Sequence, residues 1–362
     1  MPFLIDEYTP SNYEDVFFHQ DIYDRLKHMS NDNSIPHIIF YGPEGSGKKT
    51  MTSVFLHMLY GDDVNKLYNI KYNITGSGNK VREEIIKSSK HHIIINPTNT
   101  NFDRYIVHEV VKTYAKSTTI EHVNDPNSKF KTIQISNLEN LSHSAQTSLR
   151  RMIEVNSSTC RFIMWCENID NVINPLKSRC VCIRVPRPSN HKLFAYLVYL
   201  SLLKKFDPKF DDIHNIIEKT QGNIKQALWC LQLHIIGCKY TTNYDDSIDM
   251  VSDLILKCNL KKIDVIRDIF FNIMITNIPS ITILKDVSYK LLKCSKLSKS
   301  CKINIAVKTS EIEYNMLRGR RAIIHFDTFV VHLMNIIKKS NTENKKEIKC
   351  IAKKKQITSR IY

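Results

Sequence analysis

One nine-residue stretch limits the folds open to this chain more than any other. Residues 42–50 read GPEGSGKKT, directly after the apolar run IIFY and directly before a segment with helical patterning. Gly42, Pro43, Gly45, Ser46, Gly47 and Lys48 stand at the spacing of a phosphate-binding loop. Glycines let backbone N–H groups turn onto phosphate oxygens, the following helix adds its positive end, and Lys48 brings a point charge. Such a loop needs a strand before it and a helix after it, which calls for an α/β sheet.

The loop then departs from its pattern. The residue after the lysine ordinarily offers a hydroxyl to Mg²⁺. Here it is Lys49, whose ammonium has no lone pair and repels a metal, and Thr50 comes one position late. The other half of such a site is a carboxylate pair at the end of a later strand. The run KTIQI ends instead in Ser136 and Asn137, with Glu139 two residues further on. Phosphate binding is expected to survive, metal-assisted hydrolysis is expected to suffer, and Mg²⁺ is left doubtful. No metal-ligand pattern stands elsewhere.

Further near-continuous apolar runs follow at HHIIIN (91–96), KTIQIS (131–136), RFIMWC (161–166) and VCIRV (181–185). They suit strands buried on both faces of a parallel sheet, and helical segments such as 103–116 and 144–155 lie between them. Tyr68–Ile74 alternates differently, as a half-exposed strand beside the main sheet. Two prolines in VPRPSN (185–190) close the last strand, and Ser189 or Asn190 is placed to cap the next helix. Beyond that point the pattern is helical, with Gly222 as a break. The expected domains are an α/β nucleotide-binding core over 1–186, a helical lid over 187–240, an all-α block over 241–340, and a basic, poorly ordered tail over 341–362.

Charge narrows the partners. The chain carries a formal +16 over 362 residues, which favours a polyanion such as nucleic acid. Residues 338–362 hold nine Lys/Arg against Glu343 and Glu347. The opening MPFLIDEYTP lacks the basic start of a secretory or transit peptide, and no apolar run reaches membrane-spanning length. Ten scattered cysteines without a C-x-x-C pair read as reduced intracellular thiols.

The stretches YGPEGSGKKT (41–50), INPTNTNFDR (95–104), AQTSLRRMIE (145–154), STCRFI (158–163), Ser178–Arg179–Cys180, VPRPS (185–189), GNIKQAL (222–228) and RAIIHFDTF (321–329) agree in order and spacing with one family. Over roughly residues 4–340 the chain resembles the small subunits of replication factor C, in particular the type whose loop reads GKKT. That resemblance implies an AAA+ module, a helical lid and a helical collar that joins five subunits in a ring. It also implies a role in DNA replication: an ATP-dependent loader that opens a sliding clamp, of the PCNA kind, and places it on primer–template DNA.

The resemblance assigns roles by position. Arg179 becomes a finger reaching the γ-phosphate held by a neighbouring subunit, a task suited to a permanently charged, forked guanidinium. Nucleotide, as ATP or ADP, falls to the loop from Gly42 to Thr50, with Tyr8 at the adenine and Lys225 in place of the lid's sensor arginine. Glu167 stands where the family has a sensor asparagine, and Tyr8–Thr9–Pro10 lacks the arginine of the Y-R-P element. These departures, with Ser136 and Asn137, weaken the expected ATP response of this chain's own pocket. Arg104 and Lys112 are expected at DNA phosphates, and Arg150, Arg151 and Gln146 at the subunit interface. Met58, Leu59 and Tyr60 are expected near the clamp.

Other readings are an alternative loader ring for checkpoint or repair work, a self-sufficient P-loop NTPase, and a plain DNA-binding protein acting through its tail. The second needs the carboxylates and magnesium ligand that are missing. Asn-, Ile- and Lys-rich usage fits an AT-rich genome such as that of a large DNA virus, so the expected location is the nucleus or a cytoplasmic viral replication site.

Overall fold

The computed structural model describes residues 3–31, 35–75, 81–97, 103–116, 130–206, 209–238, 242–276, 278–295, 297–319 and 321–358, with side chains up to 340 except 75, 81–82 and 116. The chain divides into two compact units, Met1–Lys239 and Tyr240–Tyr362.

The first unit is built on one seven-stranded sheet: β1 (Ile38–Tyr41), β2 (Tyr68–Thr75), β3 (Val81–Ser88), β4 (His92–Ile95), β5 (Lys131–Ile135), β6 (Cys160–Cys166) and β7 (Val181–Arg184), in the order β2-β3-β4-β5-β6-β1-β7. β4, β5, β6, β1 and β7 run parallel. Alternate residues of β1, β4, β5 and β6 feed opposite faces, both largely buried, while the edge strand β7 leaves Val181 and Arg184 exposed. Ile39, Ile133, Ile135, Phe162 and Met164 pack with residues of the Asp103–Lys116 and His143–Val155 helices. Ile38, Phe40, Ile163 and Trp165 pack with residues of the Gln20–Asn31 and Lys48–Tyr60 helices. Burial on both faces explains why β1, β4, β5 and β6 read as near-continuous apolar runs; β7, expected to be buried likewise, is instead a part-exposed edge. The strand order reverses at β1, and the phosphate loop leaves its C-terminal end. In open parallel sheets that crevice is where ligands bind.

The Tyr68–Ile74 strand does not stand beside the sheet. It is the sheet's own edge, antiparallel to β3, which is antiparallel in turn to β4. β3 (VREEIIKS) was not evident from the sequence because its charged first half breaks the apolar alternation. Burial fades along β2, from fully buried Ile74 to Tyr68, which is 58% exposed.

Three helices, Asn190–Leu203, Phe210–Thr220 and Ile224–Ile235, form a smaller cluster around Leu193, Leu197, Ile213, Ile217 and Leu231. Ser189 is the cap that starts it, accepting from Lys192 N–H. Gly222 takes a left-handed φ of 83° at the turn between the last two helices. The short N-terminal helix Leu4–Glu7 belongs to this cluster: Leu4 is buried in it, Leu4 N–H donates to Gln232 Oε1, and the Phe3 ring meets Trp229.

The second unit is helical throughout its described residues: Asn243–Leu256, Ile263–Ile275, Ser280–Lys293, Lys299–Arg318 and Ala322–Thr358. Its core stacks Phe270 on Phe326 at 4.5 Å among Ile248, Ile283, Val287, Ile305 and Leu333. A capping box between Thr242 and Asp245 opens it. The side chains of the expected tail, 341–362, lie outside the described residues.

Candidate nucleotide site

Two glycines make the phosphate loop possible. Gly47, with φ 94°, is a left-handed N-cap from which the Lys48–Tyr60 helix starts. Gly45 has φ 73°, and a Cβ there would come within 1.9 Å of Asn223 Oδ1. The lid is therefore in direct contact with the loop, and Ile224 N–H donates to Gly45 O at 3.1 Å. Asn223 is the N-cap of its helix, with Oδ1 accepting from Gln226 N–H. Lys225 lies exposed in that helix's first turn.

Two buried polar atoms stand at the loop without a partner among the described residues. Ser46 is fully buried, yet its Oγ has no hydrogen-bond partner among the described residues, and neither has the buried Nε2 of His19. Lys48 is 8% exposed and folds back on its own loop, donating to Gly42 O at 2.6 Å and Pro43 O at 2.8 Å. Burial lowers the Lys48 pKa, while Glu167, Glu139 and Glu44 oppose that shift. The loop, its unpaired hydroxyl and its lysine fit the phosphates of ATP or ADP.

The same surroundings do not fit Mg²⁺. Lys49 is exposed and Thr50 half-buried. Ser136 Oγ donates to Ile95 O and also meets Asn96 Oδ1, so it is already engaged. Asn137 adopts a left-handed φ 45°, ψ 57°, a conformation Asn tolerates better than most residues. Glu139 does not reach out as a base; both of its oxygens accept the Glu167 N–H at 3.2 Å. Burial raises the Glu167 pKa, Lys48 holds it down, and Glu44 and Glu139 push it up. Among the described residues no cluster of three His, Cys, Asp or Glu is poised for a metal.

At the other rim, Tyr8 is half-buried against the lid cluster with Lys204 Nζ 5.2 Å from its ring centroid. His19 stands at φ 59°; burial lowers its pKa, against the effect of the Ser46 backbone. Sequence reasoning missed Asn223 and His19. Asn223 lay within the quoted GNIKQAL, where a cap residue before a helix was the available signal. A left-handed histidine has none.

Arg179 follows the short Asn174–Lys177 helix and is 36% exposed. Its Nη2 contacts Glu154 Oε1 at 2.6 Å, and its Nη1 donates to Pro175 O at 2.8 Å. Gln146 is buried and bridges elements: Nε2 donates to Leu141 O and Asn171 O, and Oε1 accepts from Ile173 N–H. Arg151 is exposed, whereas Arg150 is half-buried with Nε 4.0 Å from Glu154 Oε1. Arg104 and Lys112 are exposed on the Asp103–Lys116 helix. Met58 and Leu59 are half-buried against the sheet's second face. The Tyr60 hydroxyl turns inward, donating to Phe130 O at 3.0 Å with Thr132 Oγ1 2.8 Å away, and its ring stacks on His91. Cys180 and Cys182 both pack on the first core cluster and are free thiols.

A mostly parallel sheet whose phosphate-loop strand lies between β6 and the edge strand β7, with a helical lid docked on that loop and a separate helical unit, is the architecture of an AAA+ module with a collar. The family model for the C-terminal domain of replication factor C subunit 3 matches residues 248–341, and that for the DNA polymerase III delta subunit matches residues 18–189. A putative replication factor C small subunit of Acanthamoeba polyphaga mimivirus is 36% identical over 97% of this chain and 96% of its own. Replication factor C subunit 5 of Oryza sativa is 31% identical over 92% of this chain and 97% of its own. Human replication factor C subunit 3 is 27% identical over 94% and 97%. The chain belongs to the replication factor C small-subunit family.

Proposed function

We propose that this chain is one subunit of an ATP-dependent loader that opens a sliding clamp and sets it on primer–template DNA during replication. It holds ATP or ADP in the Gly42–Thr50 loop but hydrolyses it poorly, and it contributes Arg179 to the ATP held by a neighbouring subunit. The observation that carries this reading is the contrast between two places. The chain's own pocket has a phosphate cradle with Lys49 where magnesium would need a hydroxyl, and Ser136 and Asn137 where a carboxylate pair would hold the metal and orient the attacking water. Arg179, by contrast, is held at the surface with its side chain 36% exposed.

The partners on this reading are the other ring subunits, a PCNA-like clamp and DNA. Exposed Arg104 and Lys112 are available to phosphates, in contacts independent of sequence. Arg151, and Gln146 through the Asn171–Ile173 segment, serve the interface that presents Arg179. Met58 and Leu59 serve the clamp, with Tyr60 buttressing them from beneath. The site of action is the nucleus or a viral replication site. No described helix is long and apolar enough to cross a membrane.

The test is the ATPase of the reconstituted ring with clamp and primed DNA. Arg179→Ala in this subunit alone should remove most of the stimulated rate, since such fingers contribute about 10³–10⁵. Lys48→Ala should change it little. The reverse pattern would show that the GPEGSGKKT loop does the hydrolysis.

A further inference from the structure

We infer that Glu154 is a positioning residue that holds Arg179 ready for the neighbour's ATP; this rests on the role proposed above for Arg179. Arginine loses about 2 kcal/mol of rotamer freedom when fixed, so a finger fixed before the neighbour docks reacts with less to lose. In this subunit it is already fixed. Nη2 meets Glu154 Oε1 at 2.6 Å, and Nη1 donates to Pro175 O at 2.8 Å and reaches Ser178 Oγ at 3.4 Å. A guanidinium has five N–H groups, so donors remain for a phosphate.

Glu154 is poorly placed for any purely local role. It occupies the last turn of the His143–Val155 helix, where the helix dipole disfavours a carboxylate. Its i,i+4 ion pair with Arg150 is long, at 4.0 Å, and the adjacent Val155 is 76% exposed. What it does touch closely is Arg179.

The contact has a counterpart at the other end of the helix. Gln146 clasps Asn171 O and Ile173 N–H, which precede the Asn174–Lys177 helix leading to Arg179. Eight residues, about 12 Å of helix, separate the two clasps. The helix thus splints the whole segment that carries the finger. Gln146 fixes where the segment starts, and Glu154 fixes the side chain with which it ends.

The test has two arms. In the isolated full-length chain, ¹⁵N relaxation of Arg179 Nε should report an ordered side chain. Glu154→Ala should lower that order strongly and Glu154→Gln partly, because the amide keeps an acceptor and loses the charge. An Nε that stays ordered in Glu154→Ala would overturn the inference. In the reconstituted ring with clamp and primed DNA, Glu154→Ala should lower kcat about two- to fivefold with KM for ATP unchanged, the range expected of a solvent-exposed pair. Glu154→Gln should recover part of the loss. On an Arg179→Ala background, Glu154→Ala should add nothing. A raised kcat, or an equal further loss on that background, would mean that Glu154 parks the finger or only supports the helix, and would sink the proposal. A silent Arg179→Ala would overturn the finger role itself, while the relaxation arm would still decide whether Glu154 holds the side chain.

Discussion

Replacing Gly45 with alanine should unfasten the lid from the phosphate loop, and the cost can be worked from the geometry. At φ 73° an L-residue pays about 1 kcal/mol that glycine does not. The new Cβ would also lie 1.9 Å from Asn223 Oδ1 and 2.2 Å from its Cγ, well inside contact distance. Asn223 cannot step aside freely, because its Oδ1 caps the Ile224–Ile235 helix through Gln226 N–H at 3.2 Å. Losing such a cap costs about 1 kcal/mol. Together the docked state should lose about 2–3 kcal/mol. Urea denaturation of Gly45→Ala, followed by fluorescence of Trp165 and Trp229, would measure the loss. The double variant Gly45→Ala with Asn223→Gly tests the cause. Glycine is itself a tolerable N-cap, only a few tenths of a kcal/mol worse, so removing the clashing side chain should return about 1 kcal/mol. A single variant within about 0.5 kcal/mol of the parent, or a double no more stable than the single, would refute the reasoning.

Lys49→Thr should not restore hydrolysis by this subunit, because Ser136 and Asn137 still offer no carboxylate; ATPase of the isolated chain with Mg²⁺ checks this, and a clear gain in rate would show that Lys49 is the sole defect. His92 should make the fold acid-sensitive. It is buried, its Nδ1 lies 2.6 Å from Ser89 Oγ, and burial pushes its pKa down to about 4. Between pH about 4 and 6.5 the unfolded chain binds a proton that the folded chain refuses, so stability rises with pH across that window and is lost on acidification, by up to roughly 3 kcal/mol. Denaturation at pH 7 and 4.5 should show the loss in the parent and a smaller one in His92→Gln.

Much of the architecture could be read from residues alone because one physical pattern dominates it. Strands buried on both faces carry continuous apolar runs, so β1, β4, β5 and β6 appeared within a residue or so of their observed ends; β7 appeared too, though it is a part-exposed edge. The phosphate loop announced its own context. What stayed hidden had weaker or mixed signals. β3 begins V-R-E-E, because one of its faces is open to water, and charge masked its alternation. The sequence motifs singled out Lys48, Arg179 and Gln146 as candidates, yet spacing along the chain could not pair Arg179 with Glu154 or Asn223 with Gly45. Those pairs are set by where the helices end in space. The fates of Glu139 and Asn137 were equally illegible: one turns its carboxylate to a backbone N–H, the other adopts a left-handed backbone conformation.

The attachment of the first residues to the lid has a practical side. Phe3 lies on Trp229, Leu4 is sunk among Leu193, Leu197 and Leu231, and Glu7 is tied to Lys204. Residues 3–8, Tyr8 included, are therefore part of the lid cluster, and any movement of that cluster would carry them along. An affinity tag or fluorescent fusion placed ahead of Phe3 is thus attached to the lid and not to the sheet. A label meant to leave the subunit's behaviour undisturbed belongs elsewhere. A dye placed deliberately on this segment would instead report directly on lid motion.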